Sequence, residues 1–206
     1  MHGGAGRWGR TKPFATAHAM RSVVRCRPRR RMISPRCHLI VAGLCPVTEA
    51  NLGDGIFRGR EFLAAGGRFG VGSDSNVLIG ATDELRQLEY SQRLRDKARN
   101  VMVGAGGSTG RALFDQALKG GAQALGAAPS GIRIGASADM LSLDMDNPGL
   151  TGKIADQALD AWIFAAHRAV DCVWVRGRKQ VECGRHRHRD RIASRFGQAI
   201  TQLMAR

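Results

Sequence analysis

The sequence has no run of about 18 apolar residues, the length that a membrane-spanning helix needs, so a transmembrane protein is excluded. It also has no CxxC pair and no internal repeat of fixed period. Its five cysteines are an odd number and follow no secretory signal peptide. This combination predicts reduced thiols in the cytoplasm rather than a disulfide framework.

Acidic residues are missing from the first part of the chain. Residues 1–38 contain no aspartate or glutamate, whereas the remaining residues contain all 17 acidic side chains and most of the 32 basic ones. The net charge of +15 therefore describes this segment more than the rest of the chain. A disordered tail, an out-of-frame translation of GC-rich DNA, a transit peptide and a basic arm that binds nucleic acid all remain open.

A regular pattern begins near Leu39. Short apolar runs at 39–43 and 69–72 predict two buried strands, and residues 61–65 between them predict a helix that ends at two glycines. A strand, a helix and a second strand form a βαβ unit, whose ligands lie at the carboxyl ends of the strands. Asp74 follows the second strand and is a candidate ligand-binding residue, although an aspartate there can also cap a turn.

Further helices and strands are predicted downstream. Periodicity and caps predict a helix over 83–103, a helix from Ser108 or Thr109 to Lys119 ended by Gly120 and Gly121, and a third short helix at 122–125. After Pro129 the pattern predicts short strands at 132–134, 140–143, 170–175 and 179–182, and helices at 156–166 and 190–203.

Two motifs have a functional and a structural interpretation. The glycines of 104–110 are typical of a dinucleotide-binding loop, but that loop follows a buried strand, so a helix–helix connection is the better interpretation. Residues 184–190 contain His186 and His188, which are spaced to bind metal on a strand. Because arginines alternate with these histidines and would repel a cation, a solvated turn is favoured.

The most specific pattern lies in two strings, LCPVTEANLGDGIF at 44–57 and GSDSNV at 72–77. They closely resemble the seventh and eighth barrel strands of the formimidoylglutamate deiminases. The similarity continues to residue 206, with looser amidohydrolase signatures at 138–139 and 173–178. The resemblance implies an α/β fold, namely the C-terminal remnant of a metal-dependent (β/α)8 barrel with its last two strands and following helices, plus part of a small β-domain.

The resemblance also implies a domain organisation. From their composition, residues 1–38 are expected to be a basic tail, disordered or non-native, and the resemblance assigns residues 39–128 to the barrel remnant. Residues 129–188 then supply the small β-domain strands with one helix, and residues 189–206 form a C-terminal amphipathic helix.

The chemistry implied by the resemblance is hydrolysis of N-formimidoyl-L-glutamate to N-formyl-L-glutamate and ammonia during histidine degradation. A divalent metal, usually zinc, activates water in this family. Asp74 matches the eighth-strand aspartate that binds the metal and takes the water proton. Glu49 and Asn51, on the loop expected after the seventh strand, are candidate substrate contacts.

The sequence departs from the family pattern in one important way. The first-strand His-x-His pair, the fifth- and sixth-strand histidines and the acid/base glutamate have no counterparts in this chain. The chain alone is therefore expected to be inactive, and relatives of full length are usually homo-oligomers. The alternative hypothesis is a basic nucleic-acid-binding or interaction protein acting through residues 1–38.

Overall fold

The computed structural model describes residues 41–75, 78–128 and 131–205, which contain two separate sheets. The strands are β1 (Val41–Leu44), β2 (Arg68–Val71), β3 (Met140–Leu143), β4 (Val170–Val175), β5 (Arg178–Glu182) and β6 (Arg185–His186). The helices are α1 (Pro46–Leu52), α2 (Gly59–Ala64), α3 (Ala81–Asp96), α4 (Thr109–Ala124), α5 (Ala155–Phe164) and α6 (Arg189–Met204).

The first sheet is a parallel pair, as the βαβ prediction requires. β1 and β2 pair from Val41 opposite Arg68 to Leu44 opposite Val71, and the Gly72 amide adds a bond of 2.9 Å to the Leu44 carbonyl. The connection contains one helix more than predicted. Residues 46–52 are helical because proline suits the first helical position, where no amide partner is needed.

A hydrophobic core covers this sheet. Its buried members come from both strands, from α3, α4 and α5, and from the α3–α4 connection: Ala42, Leu44, Phe69, Leu85, Leu88, Met102, Leu113 and Ile163. A second cluster, around Leu150 and Trp162, lies against the second sheet and shares α5 with the first cluster. Helix α5 therefore packs against both α3 and α4.

The second sheet is antiparallel, in the order β3-β4-β5-β6. The strands predicted at 140–143, 170–175 and 179–182 are confirmed. The strand predicted at 132–134 is wrong: the segment is a series of bends, with the Ile132 side chain 95% exposed and positive φ angles at Gly131 and Gly135 on either side. An apolar pair without a neighbouring strand has no ladder to join.

The predicted end of α3 is also wrong. The helix ends at Asp96 instead of residue 103, with Lys97 in the left-handed conformation at φ 51°. The reason is the buried Glu89 carboxylate, which accepts hydrogen bonds from the amides of Val101 at 2.9 Å and Met102 at 3.0 Å. These bonds turn the chain back along the helix that it has just left.

Gly120 and Gly121 were predicted to end a helix, but α4 continues through them to Ala124, so no separate helix forms at 122–125. Gly120 lies against the backbone of β2: a Cβ there would be 2.0 Å from the Phe69 carbonyl oxygen. At Gly121 the same atom would meet nothing within 4 Å. Gly120 therefore permits close helix–sheet approach, and Gly121 has no such role.

The two glycines make a matched pair for a stability measurement. Gly120→Ala is expected to lower the free energy of unfolding by about 2 kcal/mol, because α4 must move away from β2. Gly121→Ala is expected to raise it by up to about 1 kcal/mol, because alanine is the better helix former. Urea denaturation followed by circular dichroism measures both, and equal stability of the two variants would contradict this packing.

Helix α6 confirms the amphipathic helix predicted at 190–203. None of its residues is buried, and Phe196 is 67% exposed. Among the helices that the structure describes, none combines the length and apolar character that crossing a membrane requires.

Candidate functional site at the carboxyl edge of the first sheet

Two polar segments meet where the parallel strands end. Cys45 directly follows β1, and the segment 72–75 directly follows β2. Parallel strands have their carboxyl ends at one edge of the sheet, so these segments are neighbours. A Cβ at Gly72 would lie 3.8 Å from the Cys45 sulfur, which shows how closely they approach.

Asp74 lies in the turn after β2, with its side chain exposed to solvent. Its φ angle is 48°, in the left-handed region that non-glycine residues adopt at a cost and that aspartate tolerates better than most. The peptide before it is held from α1: the Thr48 hydroxyl donates a hydrogen bond of 2.9 Å to the Ser73 carbonyl. The position predicted for Asp74, at the carboxyl end of a buried strand, is where the structure places it.

Glu49 lies on α1, so the loop predicted for it and Asn51 is wrong. One Glu49 carboxylate oxygen accepts a hydrogen bond of 2.9 Å from the Cys45 amide, which closes the first turn of the helix. Burial, partly offset by that hydrogen bond, raises the pKa of Glu49 above its ordinary value. The side chain also lines a cleft between α1 and α3.

Cys45 lies near the carboxylates of both Asp74 and Glu49. It was not predicted from the sequence as a residue of this site. The pKa of its thiol is raised first by burial and then by the negative charges of Asp74 and Glu49. Cys45 follows β1 as the segment with Asp74 follows β2, and this shared position in the sequence could have indicated that Cys45 lies near Asp74. Asp74 and Glu49 are thus close enough to the Cys45 thiol to act on its pKa, so two acidic side chains lie near this edge of the sheet.

Asn51 does not join this group. It lies two residues after Glu49 on the same helix, is exposed, and residues two apart on a helix do not face each other. The structure thus brings Asp74, Cys45 and Glu49 to one region and leaves Asn51 apart from Glu49.

A catalytic metal centre needs more ligands than the side chains at this edge of the sheet provide. A catalytic zinc site takes three protein ligands. Within 41–75, 78–128 and 131–205, no group of three or more histidine, cysteine, aspartate or glutamate side chains is arranged to hold a metal. The described residues therefore do not by themselves fit a catalytic zinc ion; Asp74 can contribute one ligand.

The two other motifs are not part of this site. Residues 104–108 belong to the connection between α3 and α4, as predicted, and no strand precedes them after α3. Residues 185–186 form the short strand β6 where only a turn was predicted, and the rings of His186 and His188 lie 5.7 Å apart. The basic segment 1–38 lies outside the described residues, so nucleic-acid binding through it stays a prediction.

Comparison with known proteins identifies the family. The model of the amidohydrolase family matches residues 15–179, and the chain belongs to that family. Over 166 residues it is 49% identical to the formimidoylglutamate deiminase of Pseudomonas aeruginosa, a match that covers 80% of this chain and 37% of the relative. It is 34% identical over 111 residues to a 5-methylthioadenosine/S-adenosylhomocysteine deaminase of Natronomonas pharaonis, across 52% of this chain and 24% of that protein.

Solved structures give the same result for the fold. An amidohydrolase from Brucella melitensis superposes with a TM-score of 0.74 at 60% identity, over 80% of this chain and 36% of that one. A zinc-bound adenosine deaminase from Xanthomonas campestris gives a TM-score of 0.69 at 18% identity, over 81% and 38% of the two chains, a likeness of fold alone.

The fold predicted from the resemblance is confirmed. It is α/β, the C-terminal part of a metal-dependent (β/α)8 amidohydrolase barrel with partial sheets. The chain spans between about a quarter and a little over a third of the length of the relatives that it matches. It is a member of a family of metal-dependent hydrolases that act on C–N bonds other than peptide bonds.

Proposed function

We propose that residues 41–205 form the last two barrel strands with their following helices, together with part of the small β-domain, of a cytoplasmic formimidoylglutamate deiminase. Such an enzyme converts N-formimidoyl-L-glutamate and water into N-formyl-L-glutamate and ammonia. In this proposal Asp74 is the metal ligand that the segment contributes. One observation carries the proposal: Asp74 follows a buried parallel strand, at the edge where such sheets meet their ligands.

The substrate assignment is supported by the 49% identity to the Pseudomonas aeruginosa deiminase. We propose zinc as the metal, as the resemblance to the deiminases implies; the adenosine deaminase that shares the fold was also solved with zinc. When bound, the metal would supply an activated water for attack on the formimidoyl carbon. Glu49, half-buried beside Cys45, is the substrate-facing candidate of this segment, and Asn51 is the weaker one because it lies on another side of α1.

We further propose that this chain alone is inactive. Asp74 is one ligand, and the described residues add no group of three that could complete a metal centre. The remaining ligands would come from barrel strands that a relative of full length supplies. An assembly of several complete copies, in the cytoplasm, is the context in which we expect the segment to act.

A chimera tests this proposal. Residues 41–205 would replace the matching segment of the Pseudomonas aeruginosa deiminase, so that the host supplies the other barrel strands. We expect this chimera to release ammonia from N-formimidoyl-L-glutamate in the presence of zinc, and the purified chain of 206 residues to release none above the blank.

Two results would contradict the proposal. Robust zinc-dependent ammonia release by the chain alone would disprove the claim of inactivity. A folded chimera that holds zinc but hydrolyses no N-formimidoyl-L-glutamate would disprove the substrate assignment.

A further inference from the structure

The conformation of Asp74 requires support from its surroundings. A φ of 48° at a residue with a Cβ persists only where neighbouring groups fix it. The side chain is exposed and so gains little from packing. The contacts that hold the backbone before Asp74 are therefore of interest.

Thr48 supplies such support on one side. Its side chain is buried, with 5% of the residue exposed, and its hydroxyl lies 2.9 Å from the Ser73 carbonyl oxygen. That carbonyl and the Asp74 amide belong to one planar peptide unit. A hydrogen bond to the oxygen therefore fixes the orientation of the peptide that precedes the Asp74 Cα atom. On the strand side, the Gly72 amide is held by the Leu44 carbonyl.

Thr48 is itself held in place. The first turn of α1 is bonded to α3, because a carboxylate oxygen of Glu84 accepts a hydrogen bond of 2.9 Å from the Val47 amide. Glu84 is itself buried, with only 2% of the residue exposed. A continuous path of short contacts thus runs from α3 through α1 to the peptide preceding Asp74.

We propose that Thr48 is a positioning residue, whose hydroxyl orients the Ser73–Asp74 peptide and thereby aims the Asp74 carboxylate. The role of Asp74 in this inference rests on the proposed function. The claim that Thr48 fixes the Ser73–Asp74 peptide does not rest on it. Thr48 acts through Asp74 and touches no reacting atom. Its effect is on the position of the carboxylate, so metal affinity should respond as well as rate.

The first experiment uses the full chain and needs no activity. Thr48→Val keeps the shape of the side chain and removes the hydroxyl, whereas Thr48→Ser keeps the hydroxyl. Amide exchange of Gly72, measured by NMR, is expected to accelerate about five- to tenfold in the valine variant, because the turn that follows Gly72 loses the hydrogen bond between Thr48 and Ser73 and opens more often. The serine variant is expected to stay within about twofold of the original chain.

The Val173 amide in β4 serves as the internal control. Equal acceleration at Gly72 and Val173 would mean general destabilisation and would overturn the proposal, as would unchanged exchange at Gly72. If the valine variant does not fold, Thr48→Ala removes the same hydroxyl with a smaller side chain. Exchange of the Gly72 and Val173 amides is then compared in that variant.

The second experiment measures zinc affinity of the chimera by competition with a chelator. Thr48→Val is expected to weaken zinc binding by about 10- to 100-fold, as loss of a supporting contact does at metal sites, and Thr48→Ser to restore it. Unchanged affinity in the valine variant, while Asp74→Asn weakens it, would overturn the positioning role. Unchanged affinity in Asp74→Asn would instead refute the proposed function. The amide exchange data would still test whether Thr48 fixes the Ser73–Asp74 peptide.

Discussion

Asp74→Asn is expected to lower kcat/KM of the chimera for N-formimidoyl-L-glutamate by at least about 100-fold, because it removes the carboxylate that we propose binds the metal and takes the water proton. Asparagine is the right replacement for this position. It has the same shape and tolerates the left-handed backbone conformation that Asp74 adopts, so the turn should survive. Steady-state ammonia release measures the effect.

Asp146→Asn is the matched control for this variant. Asp146 is another exposed aspartate in a turn, in the part of the chain that carries the second sheet. Its replacement is expected to leave kcat/KM within about twofold, as for a surface substitution away from a site. If both variants retained full activity with zinc bound, Asp74 would not be a ligand.

Glu89→Ala is expected to give the largest loss of stability, about 3 kcal/mol or more. The Glu89 side chain is fully buried, and its carboxylate accepts from the Val101 and Met102 amides and from the Arg93 guanidinium at 2.7 Å. Alanine would deprive all three donors of this acceptor. Urea denaturation of the full chain measures the change in the free energy of unfolding.

Glu182→Ala provides the comparison. Glu182 pairs with Lys179 at 2.7 Å, but both side chains are well exposed. Solvent screens such a pair, so the expected loss is far smaller than that of Glu89→Ala. Losses of similar size in Glu89→Ala and Glu182→Ala would show that the buried carboxylate does not organise the α3–α4 connection.

The buried face of α3 explains why sequence periodicity located that helix but misjudged its packing. Leu94 is apolar, yet it is 79% exposed. Buried positions are instead taken by Glu84, Glu89 and Gln92 beside Leu85 and Leu88. These polar side chains are buried because they accept hydrogen bonds from amides at the starts of α1 and α2 and in the α3–α4 connection, contacts that hydrophobic periodicity does not detect.

The site was predictable in part. The resemblance located Asp74 and the strand before it, because the residues following a buried strand carry a specific family pattern. The roles of Cys45 and Thr48 depend on which strand pairs with which and on where α1 lies after Pro46. Those contacts join residues 25 or more positions apart, such as Thr48 and Ser73, and local sequence does not encode them.

Gly120 is a second example of a role that local sequence does not predict. A pair of glycines is a sound local signal for the end of a helix, and on sequence alone it predicted one. The structure uses one of the two for close approach to the backbone of β2 instead. Tertiary contact decides between these roles, so the distinction appears only when the helix is placed on its sheet.

The most direct test of the central claim is a crystal structure of the chimera grown with zinc, with the metal located by its anomalous scattering. We predict an Asp74 carboxylate oxygen at about 2.0–2.2 Å from the zinc ion, at the carboxyl edge of β1 and β2. A fully occupied zinc ion bound without Asp74 would contradict the claim that this segment contributes a ligand to the metal site.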